Sequence, residues 1–254
     1  MNKSKRQHLC FFAYATRLIE ARRRAGRDNT ADLYRTTRNR VCRFMNNKEL
    51  DMRKITSAWI AHFADFLHSE GLLPNSVRTY LSNLRAIYHQ ACREGLISRP
   101  AVSPFEGQLP RKERGRSRAL DEKVLMEIAV FRLEGTDWRG GLTLDLARFS
   151  LLACGMPFAD LARLTSDNIQ GDEIVYRRKK TGRLIRIGIT SAIRGLIGKY
   201  VTEGSRYLFP ILPAGRNVGH EEYKALLRTY NRTLKEIGAS LSTPVRLTSY
   251  TARS

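Results

Sequence analysis

The stretch NSVRTYLSNLRAIYHQACREG, residues 75–95, decides the fold of the first half of the chain. Its apolar side chains recur every three or four residues, at Val77, Tyr80, Leu81, Leu84, Ile87, Tyr88 and Ala91. This spacing places them on one side of an α-helix, which Gly95 and Pro100 then close. The sequence therefore predicts a long amphipathic helix that begins at Asn75.

Further helical patterns precede this one. Residues 30–45 combine an apolar stripe with a strongly basic flank. Thr56 is a good N-cap for the next helix, which Gly71 ends and whose apolar residues fall at helical spacing: Trp59, Ile60, Phe63, Phe66 and Leu67. Residues 9–24 also have a helical pattern. Helices joined by such short connections predict a small bundle.

The periodicity disappears between Pro104 and Arg118, where prolines, glycines and basic residues dominate. We predict a basic linker over residues 106–118, between an N-terminal helical domain (1–105) and a C-terminal domain (119–254). Its cations suit a segment that lies on DNA phosphates: Arg111, Lys112 and Arg114. An ordinary solvated linker is the alternative.

Beyond the linker, helices alternate with a short β segment. Helical patterns cover residues 120–133, 141–154, 160–164, 191–203 and 220–237, and β character covers 174–176 and 184–189. Thr181-Gly182 supplies the turn between the two strands. The predicted fold class is therefore mainly α with a small antiparallel β-sheet.

The tip of this predicted hairpin holds five cations: Arg177, Arg178, Lys179, Lys180 and Arg183. Such residues cannot be core residues, and they repel one another unless an anion lies against them. A two-stranded ribbon with a basic tip is one way of reaching into a DNA groove. We therefore predict DNA contact here, with a solvated charged turn as the alternative.

The charge of the whole chain indicates the class of partner. It has 45 Lys and Arg against 24 Asp and Glu, a net charge of +21, and a pI of about 10.4. The excess is spread out, with 22 basic and 10 acidic residues through Gly115 and 23 and 14 after it. Counterion release favours an extended polyanion that touches both halves. Single-strand RNA is disfavoured because no paired aromatics mark the strands.

The remaining composition argues against metal and membrane. The cysteines form no CxxC pair and are expected to be reduced: Cys10, Cys42, Cys92 and Cys154. The histidines lack partners at metal-ligand spacing, so we expect no metal and no cofactor: His8, His62, His68, His89 and His220. No apolar run suits a signal peptide or membrane helix. A cytoplasmic, nucleoid-associated protein with no membrane partner is predicted.

Four stretches resemble, in order, the motifs of the tyrosine recombinase (phage-type integrase) family. Asn75-Ser76-Val77 through Leu84-Arg85 and Tyr88, then Gly95-Leu96-Ile97 and Pro104-Phe105, resemble the end of its core-binding bundle. GMPFADLARL (155–164) followed by Asp167-Asn168-Ile169 resembles its first arginine box. YRRKKTG (176–182) resembles its lysine-bearing hairpin, and LTSYTAR (247–253) its second arginine box. The chain is most similar to integrases of mobile elements from Bacteroides-type bacteria.

The resemblance implies a helical core-binding (SAM-like) bundle and an integrase catalytic domain that clamp duplex DNA. Family members cleave and rejoin DNA through a 3′-phosphotyrosine, with cations that offset charge on the scissile phosphate. Arg253 matches the second arginine, and Lys180 matches the lysine, with Lys179 as the alternative. In the bundle, Arg78 and Arg85 are expected to bind DNA.

Two positions depart from the family pattern. Pro157 stands where the first arginine is expected, and Tyr250 replaces the histidine three residues before Arg253. The nucleophilic tyrosine has no counterpart, so we expect a truncated catalytic domain that binds DNA without cutting it. The alternative is a non-catalytic remnant that occupies or regulates a recombination site. The expected partners are double-stranded DNA and other recombinase protomers.

Overall fold

The computed structural model describes residues 9–113, 120–132, 138–202 and 204–251. The chain divides into two compact units, Met1–Gly115 and Arg116–Ser254, called here the N-terminal unit and the C-terminal unit. Each has its own apolar core. Arg114 and Arg253, two of the predicted site residues, lie outside the described residues.

The N-terminal unit is a helical bundle, as the periodicity predicts. Its α-helices are α1 (Phe11–Arg24), α2 (Asp28–Phe44), α3 (Ser57–Ser69) and α4 (Pro74–Arg93). Thr56 caps α3, since its hydroxyl accepts a hydrogen bond from the Trp59 amide at 3.2 Å. Gly71 follows α3 with a φ of 76°, a conformation that favours glycine.

Large apolar side chains from α3 and α4 fill this core. Phe63, Leu67, Leu81, Leu84 and Ile87 are fully buried. Each such burial contributes roughly 1.5 to 3 kcal/mol relative to exposure. Aromatic packing continues on the α2 side, where the Phe44 ring lies 5.3 Å from Trp59 in an edge-on contact. The apolar stripe read from residues 75–95 is thus the stripe that the bundle buries.

The first part of the predicted linker is attached to the bundle. The Asn75 side chain donates to the Glu113 carbonyl and accepts from the Glu113 amide, each at 3.0 Å. Arg78 Nη1 donates to the Pro110 carbonyl at 2.5 Å. Phe105 is buried with its ring 5.6 Å from that of Tyr88. Residues 106–113 are therefore held on α4, while the domain limits at 105 and 119 stay predictions.

The C-terminal unit combines helices with a small sheet. The helices are α5 (Glu122–Val130), α6 (Trp138–Leu152), α7 (Phe158–Leu161), α8 (Ser191–Tyr200) and α9 (His220–Ala239). The strands are β1 (Ile169–Gln170), β2 (Glu173–Arg177) and β3 (Leu184–Gly188), in the order β1-β2-β3 and antiparallel. The predicted fold class is confirmed. β1 was not predicted, because two residues are too few to show alternation.

A buried aspartate joins two helices of this unit. Asp145 on α6 is 4% exposed. Its carboxylate accepts hydrogen bonds from Lys199 Nζ at 2.5 Å, the Tyr200 hydroxyl at 2.8 Å and Arg148 Nη1 at 3.2 Å. Because a buried charge is costly unless paired, these donors fix α8 on α6.

Among the residues that the structure describes, no helix is long and apolar enough to cross a bilayer.

Candidate nucleic-acid interface

The turn before α7 positions the first motif of the C-terminal unit. Gly155 has a φ of 72°, and Pro157 then serves as the residue before the helix, with φ −62° and ψ 145°. Its carbonyl accepts from the amides of Asp160 and Leu161, both at 2.9 Å. A proline side chain carries no charge and no donor, so this position cannot bind a phosphate oxygen.

Asp160 on α7 anchors the β2–β3 hairpin. Its side chain is only 3% exposed. One carboxylate oxygen accepts from the Lys179 backbone amide at 2.9 Å, and the other lies 4.0 Å from Arg178 Nε. The carboxylate therefore holds the start of the turn and leaves the lysine side chains outside.

Backbone hydrogen bonds close the hairpin tip, defined as residues 177–183. The Arg178 amide donates to the Arg183 carbonyl at 2.9 Å, and the Gly182 amide donates to the Arg178 carbonyl at 2.7 Å. Gly182 has a φ of 69°, which an L side chain rarely adopts. The tip is therefore shaped by its own main chain and by Asp160.

The predicted cations at the tip are mostly exposed. Arg177, Lys179, Lys180 and Arg183 are exposed, and Arg178 is half-buried beside Asp160. Arg177 Nη1 donates to the Gly182 carbonyl at 3.3 Å. Lys180 makes no hydrogen bond or ion pair with any residue that the structure describes. The hairpin thus presents several positive groups close together at a fixed turn.

Tyr223 on α9 connects this tip to α7. Lys179 Nζ lies 5.9 Å from the centre of its ring, and the Arg163 guanidinium lies 4.9 Å from it. Burial raises the pKa of the Tyr223 phenol; Tyr250 and the Asp160 carboxylate raise it too, whereas Arg163 lowers it. Segments far apart in sequence thus meet around one aromatic ring.

Tyr250, which stands in the histidine position, lies in a hydrogen-bonded turn. The Thr251 amide donates to the Thr248 carbonyl at 2.9 Å, and the Ser249 amide donates to Asn231 Oδ1 on α9 at 2.9 Å. The Tyr250 side chain is 59% exposed. Tyr250 also raises the pKa of Tyr223, so the two phenol groups are coupled electrostatically.

Glycine at position 238 lets this turn approach α9. A Cβ atom there would lie 2.2 Å from the Val245 carbonyl oxygen and 2.9 Å from Leu247 Cγ. The Val245 amide also donates to the Gly238 carbonyl at 2.9 Å. The segment that leads into the second arginine box is therefore packed directly on the helix backbone.

The predicted DNA-binding residues of the N-terminal unit lie along α4. Arg78 and Arg85 are seven residues apart and share one side of the helix. Arg78 is half-buried and bonded to the Pro110 carbonyl, immediately before the exposed Arg111 and Lys112. Arg85 is exposed. The structure thus brings the linker cations Arg111 and Lys112 beside the N-terminal part of α4.

Several residues of this interface were not found from the sequence. Asp160 was visible in its motif, but its bond to an amide nineteen residues away was not. Tyr223 and Arg163 gave no signal beyond helical spacing. An exposed basic strip on α9 was also missed, although its spacing of three and four residues could have revealed it: Arg228, Arg232 and Lys235.

The first half of the chain matches a known domain family. Residues 10–106 match the family model of the phage integrase SAM-like domain. No curated protein matches the sequence.

Solved integrase structures have the same fold. A lambda integrase dimer bound to a COC' core site is 18% identical, with a TM-score of 0.67 over 96% of this chain and 84% of that one. A lambda integrase tetramer bound to a Holliday junction is 18% identical, with a TM-score of 0.65 over 98% and 72%. The Tn1549 transposon integrase in complex with a circular intermediate DNA is 12% identical, with a TM-score of 0.59 over 96% and 84%.

These likenesses show the fold of integrase core-binding and catalytic domains.

Proposed function

We propose that this chain is an integrase-type tyrosine recombinase that binds double-stranded DNA through both units. The observation that carries the proposal is the hairpin tip: exposed cations held at a fixed turn by Asp160, on the fold of integrases solved with DNA. A rigid basic tip meets phosphates without first being ordered, so less conformational entropy is lost on binding. The N-terminal unit has exposed cations of its own, on α4 and at residues 111–112.

Finer assignments rest on sequence likeness. We place the chain among integrases of Bacteroides-type mobile elements, with a core-binding domain at 1–105 and a catalytic domain at 119–254. We further propose that it associates with the nucleoid and with other protomers on DNA. The lambda integrase structures, a dimer and a tetramer on DNA, support the last point.

Salt dependence tests the DNA-binding proposal. Because the net charge of +21 is spread over both units, log affinity for a duplex should fall steeply and linearly with log salt. A gel-shift titration from low to physiological salt measures the slope. The variant Lys179→Ala/Lys180→Ala should reduce that slope by about one to two. A nearly flat slope for the unmodified protein would contradict the proposal.

We also propose that a polypeptide of these 254 residues binds DNA without cleaving it. Pro157 and Tyr250 stand where an arginine and a histidine are expected, and no tyrosine here matches the nucleophile. Loss of one preorganised donor typically costs about a hundredfold in rate. Without the nucleophile, the covalent path is closed.

A nicked suicide substrate that carries the crossover site tests this proposal. We expect the protein to shift the duplex but to leave no adduct on a denaturing gel. An adduct that maps to any of the present tyrosines would contradict the proposal.

The second candidate is a remnant that occupies a recombination site and competes with an intact integrase. The same Pro157 and Tyr250 positions favour it, because they weaken catalysis without removing the exposed cations. Adding the protein to a recombination reaction run by an intact relative distinguishes the two. Inhibition at stoichiometric occupancy supports the remnant, whereas strand exchange in mixed complexes supports a recombinase subunit.

A further inference from the structure

A second group of cations lies on the N-terminal unit, around His89. Arg85, His89 and Arg93 are spaced by four residues on α4 and so lie along one side of the helix. Arg99, in the segment that follows α4, is within electrostatic reach of His89. All three arginines are exposed.

No carboxylate neutralises this group within the residues that the structure describes. Arg93 donates to the amide oxygen of Gln90 at 2.5 Å. The nearby Glu94 is taken by Arg17 at 2.6 Å and by Gln90 at 2.9 Å. Arg85 and Arg99 make no ion pair with described residues, so their charges are open to an external anion.

His89 is held in place by the segment after α4. Its Nε2 lies 3.3 Å from the Ser103 hydroxyl, and its ring lies 6.1 Å from Phe105 and 5.8 Å from Tyr88. The imidazole is half-buried, whereas the arginines around it reach solvent. An imidazole held by neighbouring side chains among exposed guanidinium groups is a suitable centre for a small site.

The surroundings of His89 disfavour its protonated form in the free protein. Burial lowers the pKa of the His89 imidazole, and the charges of Arg85, Arg99 and Arg93 lower it further. The other groups packed on it, Ser103, Tyr88 and Phe105, are uncharged at neutral pH. An anion bound among the arginines would oppose their effect and favour the imidazolium.

We propose that Arg85, His89 and Arg99 bind one backbone phosphate of duplex DNA, and that His89 takes up a proton when the phosphate binds. This inference rests on the proposed DNA-binding function and adds a phosphate site whose occupation is linked to pH. Guanidinium groups suit phosphate oxygens, and an imidazolium adds a charged donor.

The sign of the pH dependence follows from linkage. The pKa of His89 is lowered in the free protein, and a bound phosphate should raise it, so binding should take up a proton between the two pKa values. Affinity should therefore rise as pH falls through the pKa of the complex and level off below that of the free protein. The slope from one group is at most about tenfold per pH unit.

Duplex affinity at pH 7.5 and pH 5.5, at constant salt, is the primary test. We expect the unmodified protein to bind at least about threefold more tightly at the lower pH through this group. His89→Gln should lose this gain, whereas His62→Gln, an exposed histidine on α3, should keep it. Arg99→Ala should weaken binding and reduce the salt slope by about one.

The outcomes separate the two proposals. If the protein binds no duplex at either pH, the proposed function fails and the phosphate site fails with it. If duplex binds but His89→Gln keeps the full pH dependence, only the phosphate site is overturned. Preference for duplex RNA of the same length would also overturn it, because the site is assigned to DNA.

NMR of the unmodified protein tests the same site without relying on the folding of the His89→Gln variant. The His89 ring signals, followed by NMR through a pH titration, should show a higher pKa when duplex is present. An unchanged pKa in the saturated complex would overturn proton uptake at this site.

Discussion

The C-terminal unit buries two aspartates and satisfies them in different ways. Asp145 accepts from the side chains of Lys199, Tyr200 and Arg148, so it uses charged and polar groups to join α6 and α8. Asp160 accepts from the backbone amide of Lys179 and leaves the lysine side chain exposed. The first carboxylate therefore cross-links helices, and the second orients a loop whose lysine side chains are exposed.

The largest expected effect follows from removing the cross-link. Asp145→Ala should lower the free energy of unfolding of the C-terminal unit by about 3 kcal/mol, because Arg148, Lys199 and Tyr200 lose their shared acceptor. We expect no larger loss, since the Lys199 side chain is 59% exposed and water can solvate its ammonium group. Denaturant unfolding followed by circular dichroism measures it.

A surface ion pair in the same unit provides the control. Asp172 is 89% exposed and pairs with Arg194 at 2.7 Å. Asp172→Ala should cost less than about 1 kcal/mol, as exposed pairs do. Equal losses for the two variants would contradict a special role for Asp145.

Removing the loop anchor should have a smaller and more local effect. Asp160→Ala leaves the Lys179 amide without its acceptor, and we expect a loss of about 1 to 3 kcal/mol in stability. Hydrogen exchange at the Lys179 amide should accelerate, and duplex affinity should fall. Asp160→Asn retains an acceptor oxygen and should lose less on all three measures. Unchanged exchange at Lys179 in the alanine variant would show that the anchor is not needed.

The exposed cations should affect binding rather than folding. Lys179→Ala/Lys180→Ala should leave the Tm within about a degree or two, because exposed charges contribute little to stability. Duplex affinity should drop by about 1 kcal/mol or more. Lys48→Ala/Lys54→Ala removes the same charge from exposed positions outside the described clusters and should weaken binding less. Equal losses would indicate a response to net charge alone.

The smallest effect concerns acid stability. Burial acts to raise the pKa of Asp145, but hydrogen bonds from Lys199, Tyr200 and Arg148 outweigh it and leave the pKa below its ordinary value. Its stabilisation is therefore complete above the unfolded pKa and is lost as pH falls through the lower, folded pKa. Unfolding measured from pH 5 to pH 3 should show a shallower acid loss in Asp145→Asn. Parallel curves would contradict this linkage.

The sequence predicted the elements of this fold better than their contacts. The helices were found because apolar residues recur at helical spacing over many turns, and Thr56 was found because an N-cap acts within three residues. The bonds of Asp160 to Lys179 and of Asp145 to Lys199 join residues 19 and 54 apart, and no local pattern encodes them. Arg253 and Arg114 stay predictions.

The sequence predicted neither β1 nor the attachment of residues 106–113 to α4, and the reasons are similar. β1 has two residues, so its pairing with β2 defines it rather than any propensity of its own. The composition of residues 106–113 is typical of a flexible linker. Their main chain is nevertheless hydrogen-bonded to the side chains of Asn75 and Arg78. In both cases, polar partners elsewhere in the chain decide a conformation that local composition leaves open.

Gly238 restricts how this chain can evolve. Inside a helix, exchange of glycine for alanine usually gains roughly 0.5 to 1 kcal/mol. Helix propensity alone would therefore favour a side chain at position 238. Here the added methyl group would sit 2.2 Å from the Val245 oxygen and would displace the segment that carries Thr248 and Tyr250. A substitution that improves the helix on its own would therefore dislodge a turn of the proposed DNA-binding surface. Close contact with residues 245–247, rather than helix propensity, therefore requires glycine at this position.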